Sequence, residues 1–118
     1  MIQPKVTMQV RNLTSKTSVI DIVGEVTSAA ENVLMEAFTQ ITSSGGKNII
    51  LNFTGLVYMN SSGIGLLVTL LIRAQRQKQQ LLACGLNEHY RQIFELTRLN
   101  EAISIYPTEL EAQMALGE

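Results

Sequence analysis

The chain has 118 residues, 46% of them hydrophobic and 16% charged. That length suits one domain, spanning 1–118, with a sizeable core, and the composition excludes a disordered chain. With Lys+Arg at 9, Asp+Glu at 10, a net charge of −1 and no Trp, there is no electrostatic or stacking basis for binding nucleic acid or an anionic membrane.

Residues 1–5 lack the charged-then-apolar pattern of a secretory leader. The longest apolar run, residues 64–72, is far too short to cross a bilayer. A soluble, cytoplasmic protein without membrane insertion is expected. Val6, Met8 and Val10 alternate with Thr7 and Gln9, the period of a strand with one wet face. Residues 19–23 are rich in β-branched side chains and predict a second strand, ended by Gly24, so that the two form a hairpin. Ser28-Ala29-Ala30-Glu31 has the form of a capping box. After it Val33, Leu34, Ala37, Phe38 and Ile41 recur as one helical face, stopped by Ser43-Ser44-Gly45-Gly46.

Residues 48–53 are apolar almost without alternation, as in a parallel strand covered on both faces. The helices before and after it are the expected covers. The chain then turns small and polar at Asn60-Ser61-Ser62-Gly63 and enters a helix predicted over residues 62–79. The first half of that helix is apolar nearly all round, which argues for central burial, and the second half is polar. Residues 81–84 predict a third parallel-type strand ended by Gly85. The single cysteine, Cys84, cannot form an internal disulfide and reads as a buried, inert thiol. Asn87 is a cap for a helix whose inner side carries Tyr90, Ile93, Phe94 and Thr97, and residues 102–105 predict the last strand. Thr108-Glu109-Leu110-Glu111 opens a C-terminal helix expected to point Leu110 and Met114 inward. The order is β–α–β–α, an α/β chain.

Catalytic constellations are scarce. The lone His89 has no spaced carboxylate that suggests a triad and reads as a surface residue. Gly63-Ile64-Gly65 lacks the third glycine of a dinucleotide fingerprint, and no Gly-Lys-Ser/Thr follows it. The carboxylates are scattered over helix caps and faces, and one His with one Cys cannot build a structural zinc site. The sequence therefore calls for no enzyme, no metal and no cofactor. Ser61 and Ser62 carry two readings. Serine at a helix start is first a cap, and Ser62 is the better candidate for that role. It is also a hydroxyl at a positive helix end that welcomes a phosphate.

With the strand–Asn-Ser-Ser-Gly–helix unit in place, the chain resembles the STAS domain family, in particular the stand-alone bacterial anti-sigma factor antagonists. The resemblance is carried by Asn52-Phe53 and by Met59-Asn60-Ser61-Ser62-Gly63-Ile64-Gly65, which matches the family's Met-Asp-Ser-Ser/Thr-Gly-Leu-Gly. Gly24-Glu25-Val26 matches its Gly-Glu-Leu, and Arg91-Gln92-Ile93-Phe94-Glu95-Leu96 followed by Leu99 matches the helix before its last strand. Asn60 stands where the family usually has Asp, and Thr27 where Gly-Glu-Leu is usually followed by Asp. The resemblance covers essentially the whole chain. It implies a small mixed, mostly parallel β-sheet of about five strands flanked by about four α-helices. It also implies a partner switch, with Ser61 as the residue phosphorylated by a partner that is both anti-sigma factor and serine kinase. The unphosphorylated antagonist binds that partner, phosphorylation releases it, and a PP2C-type phosphatase resets it. The expected partner surface is Asn60, Ser61, Ser62 and Gly63, with Glu25, Thr27 and Ser28 on the same rim. The competing expectation is a STAS scaffold that is not phosphorylated, as a subunit of a signalling or lipid-transport assembly.

Overall fold

A computed structural model describes residues 5–117. The expectation about a leader therefore falls largely on residues 1–4, outside that range. One five-stranded sheet has the order β1-β2-β3-β4-β5. Strands β1 (Val6–Asn12) and β2 (Thr17–Val26) form the antiparallel hairpin, and β3 (Asn48–Met59), β4 (Gln80–Cys84) and β5 (Ser104–Tyr106) follow in parallel. The helices are α1 (Glu31–Ser43), α2 (Ser61–Arg76), α3 (Glu88–Leu96) and α4 (Glu109–Ala115). This is the mixed, mostly parallel sheet with four helices that the resemblance implies.

The helices do not divide between the faces as expected. Ile20, Ile22, Ile49, Leu51 and Phe53 pack in one cluster with Leu34, Phe38 and Ile41 of α1, Leu66, Leu67 and Leu70 of α2, and Tyr90 and Phe94 of α3. Each parallel strand is added on the same side of the last, so crossovers of one hand must lay α1, α2 and α3 on one face. The Phe53 and Phe94 rings meet edge to face at 6.1 Å. The opposite face is covered by α4 alone, whose Ala112 lies over Val19, Ile50, Leu82 and Cys84. Ile49, Ile50 and Leu51 are each 0% exposed, so β3 is buried on both faces as its sequence says.

Four local expectations are corrected. Gly24 does not end β2, which runs on to Val26; its φ of +105° and a close approach to the Lys5 carbonyl let the strand pass. Ser28 is not a cap, because Thr27 caps a 3₁₀ turn (Ser28–Ala30) that leads into α1. Leu110 and Met114 are each 64% exposed, and α4 instead turns Ala112 inward. A small residue there lets the helix lie close to the sheet, and the Arg11 guanidinium ties its first residue, Glu109, to Asp21. Finally, α2 is not central all round. Leu66, Leu67, Leu70 and Ala74 face the core, while Val68 and Ile72 are 39% and 45% exposed.

Candidate functional site

Strand β3 outruns its neighbour on one side. The last β3–β4 pair is Asn52 with Cys84, whereas β2 follows β3 as far as Val26 with Met59. The β2–β3 register slips between Asp21 and Val23 and again between Gly24 and Glu25, each time with an extra residue on β3. The second slip leaves Val57 without a register partner and 72% exposed. Sequence pattern ends this strand at Phe53, because Thr54-Gly55 interrupts the apolar run. Tyr58 is 48% exposed and Met59 is core.

Helix α2 begins at once. Asn60 is extended, and its side-chain oxygen accepts a hydrogen bond of 3.0 Å from the Gly63 N–H. Its carbonyl accepts the first helical bond, from Ile64 N–H at 3.0 Å. Asn60 is therefore the cap, and Ser61 and Ser62 are the first two helical residues. The assignment of the cap to Ser62 is corrected. Both serines are exposed, and neither hydroxyl makes a hydrogen bond to another described residue.

Three contacts fix the turn from beneath. The Asn60 N–H donates to the Val26 carbonyl at 3.3 Å, joining the end of β2 to the start of α2. Gly63 is buried, and a Cβ there would run into that same carbonyl and the Met59 side chain. The Met59 N–H donates to the buried Tyr90 hydroxyl at 2.9 Å, tying α3 to the strand one residue before the cap. Nothing in the sequence singles out Tyr90 for this, since its spacing marks it only as core. Thr27 follows Val26 and accepts from the Ala29 N–H at 3.3 Å, opening the turn that carries exposed Ser28. Glu25 pairs in register with Tyr58. The structure thus brings Glu25, Thr27 and Ser28 to the same rim as Asn60, Ser61 and Ser62. Gly63 lies under the rim and serves its packing.

Chemically the rim presents a rigid, uncommitted hydroxyl at a positive helix end. It holds no acid–base relay: His89 is exposed on α3, and among the described residues no three His, Cys, Asp or Glu side chains are placed to hold a metal ion. Burial pushes the Cys84 thiol up to about 11, which leaves it protonated and unreactive at neutral pH. An open surface pocket of about 450 Å³ lies elsewhere, along α1 beside Met35 and Thr39.

The family model of the STAS domain matches residues 5–112. The anti-sigma-B factor antagonist of Staphylococcus aureus (strain NCTC 8325) is 27% identical over 93 residues, covering 78% of this chain and 86% of that protein. Among solved structures, the Bacillus cell fate determinant SpoIIAA in its phosphorylated form is 25% identical. It superposes with a TM-score of 0.72, covering 93% of this chain and 99% of that one. An anti-sigma factor antagonist from Mycobacterium paratuberculosis superposes with a TM-score of 0.81 at 18% identity, over 100% of both chains. Fold, site geometry and a family match over nearly its whole length agree: the chain belongs to the STAS domain family.

Proposed function

We propose that this STAS domain is an anti-sigma factor antagonist whose binding is switched at Ser61. The observation that carries the reading is the free, exposed hydroxyl of Ser61, held at the first position of α2 by the Asn60 cap. The unphosphorylated rim binds an anti-sigma factor that is also a serine kinase. Transfer of the γ-phosphoryl group of ATP to the Ser61 oxygen releases ADP and a proton and breaks the complex. A PP2C-type phosphatase hydrolyses the ester and restores binding. The kinase supplies base and metal, so the antagonist needs no catalytic group of its own. The cytoplasm is where these partners would meet it; no helix among the described residues is long and apolar enough to cross a membrane.

Asn60 supports the reading. Asn and Asp cap helices about equally well, so the residue that departs from the usual motif keeps the Ser61 backbone in place. The added phosphate carries about −1.5 to −2 charges. The α2 start favours a nearby anion by about 0.3–1 kcal/mol, so the modification acts on the partner surface and not on the fold. Incubation with the candidate kinase and ATP, followed by mass spectrometry, tests this directly. Phosphate is expected on Ser61 and absent from Ser61→Ala. Modification of Ser62 instead, or unchanged labelling of Ser61→Ala, would refute it.

A further inference from the structure

Strands β4 and β5 run parallel side by side and end level, with Cys84 paired to Tyr106. The chain leaves them in opposite directions. From β4 it turns through Gly85 and Leu86 into α3, which packs on the face shared with α1 and α2. From β5 it turns through Pro107 into α4, which packs on the other face. Each of β2, β3 and β4 hands on to a helix on the first face, so the boundary between β4 and β5 is where neighbouring connections part. Connections that part in this way leave a crevice beyond the strand ends, and open α/β sheets bind small ligands there. Gly85 widens the crevice. Its φ is +76°, and a Cβ on it would strike Thr54, so the turn lies hard against β3, on the side of β4 away from β5.

The crevice is an open pocket of about 350 Å³, a size that suits a small metabolite. Its walls come from both sides of the divergence. Leu86 and Ile105 pack on the cluster beneath α3 and Tyr106 on the cluster beneath α4, while Pro107 and Arg91 complete the lining. No carboxylate is among these residues, and the single charge is the Arg91 guanidinium. Its only ion pair among the described residues is with Glu88, at 3.7 Å and in the open, too long for a hydrogen bond. Arg98, by contrast, is held by two hydrogen bonds to Glu101. Arg91 therefore keeps a planar fork of N–H donors free at the edge of an apolar wall, a geometry matched to a carboxylate. None of the five lining residues belongs to the rim around Ser61.

We propose that this crevice is a binding site for a small organic carboxylate with a flat apolar body. Arg91 takes the carboxylate through two N–H donors, in place of its loose pairing with Glu88, and the body lies against Leu86, Ile105 and the Tyr106 ring. Both features are needed. An exposed guanidinium alone gives little affinity in water, and an apolar wall alone fixes no orientation. A nucleoside triphosphate does not suit the site, because one cation and a single glycine, Gly85, offer no cradle for a chain of phosphates.

Titration of the purified full chain with phenylacetate, followed by amide chemical shifts, tests the site. Saturable binding in the low millimolar range or tighter is expected, with the shifts centred on Leu86, Arg91 and Tyr106. Acetate has the charge without the body, and phenylacetamide has the body without the charge. Each is expected to bind at least about tenfold more weakly. Arg91→Gln is expected to lose phenylacetate by a similar factor at an unchanged melting temperature, and Arg91→Lys to recover little of it, since a point charge does not replace the fork. Glu88→Gln, which removes the competing carboxylate, is expected to bind more tightly. No saturable binding, shifts centred elsewhere, acetate binding as well as phenylacetate, or full affinity in Arg91→Gln overturns the proposal. None of these readouts involves Ser61 or a kinase, so the site stands or falls separately from the function proposed above.

Discussion

Asn60 does two jobs in one residue. Its side chain satisfies the Gly63 N–H, and its extended backbone turns the chain from β3 into α2. Removing the side chain by Asn60→Ala is expected to cost about 1 kcal/mol, while Asn60→Asp should be neutral or slightly favourable through the helix dipole. Ser62→Ala, by contrast, should shift stability by less than about 0.5 kcal/mol. Urea denaturation of the three variants checks this ordering, and an equal loss at Ser62 would return the cap to that residue. The two glycines of the motif should also part company. Gly63→Ala drives a Cβ into the Val26 carbonyl and should destabilise the fold severely, whereas Gly65→Ala meets open space and should stabilise it by up to about 1 kcal/mol. Tyr90→Phe leaves the buried Met59 N–H without a partner and is expected to cost about 1–3 kcal/mol. The proposal of Ser61 as the acceptor rests on the resemblance across the chain, since Asn-Ser-Ser-Gly at a helix start reads by itself only as a turn and a cap. Which residue caps, and the Tyr90 contact, were not legible. Asn and Ser are near-equal caps on paper, and a tyrosine 31 residues away reaches the strand only through the fold.

At the scale of elements, α4 is the clearest case of pattern misleading. Leu110 and Met114 share one helical face and read as its buried side. The structure turns that face outward, because the sheet it covers offers a shallow surface that a small Ala112 fits and because Arg11 holds Glu109 to Asp21. Leu110→Lys and Met114→Lys are therefore expected to change stability by less than about 0.5 kcal/mol, and Ala112→Leu to cost about 1–3 kcal/mol through overpacking. Thermal melts of the three decide between the two orientations. The same ion pair sets a pH dependence. Hydrogen bonding from Arg11, helped by Asn52, lowers the Asp21 pKa below its ordinary value. The unfolded chain then binds a proton before the folded one does, so this contribution is present above about pH 4 and fades as pH falls through the depressed pKa. Arg11→Met should lower stability near neutrality by about 1 kcal/mol, as befits a partly exposed pair, and the gap to wild type should close in acid. Strand β1 and helices α1 and α3 were legible because each shows one unbroken period, and β4 because it is a short continuous apolar run. The far half of β3 was not, since Thr54-Gly55 interrupts the apolar run that marks the strand and the two bulges beyond leave no regular period.

On the scale of the whole molecule, the parallel order of the sheet explains where the proposed switch sits. The rim lies at the carboxyl end of β3, where the chain leaves the sheet for a helix, and open α/β sheets place their functional loops at that end. The core beneath is closed and the turn is held by Val26, Gly63 and Tyr90, so a charge added at Ser61 meets a rigid support. On the function proposed here, rigid support would make phosphorylation a change of surface, read by a partner through bulk, desolvation and repulsion. Calorimetric titration of the anti-sigma factor of the same organism, against unphosphorylated and stoichiometrically phospho-Ser61 protein, tests this claim most directly. The unphosphorylated chain is expected to bind, and the phosphorylated chain to bind at least about tenfold more weakly, a difference of about 1.4 kcal/mol, with melting temperatures within a few degrees of each other. Equal affinities, or a phosphorylated chain that has lost its fold, would contradict it.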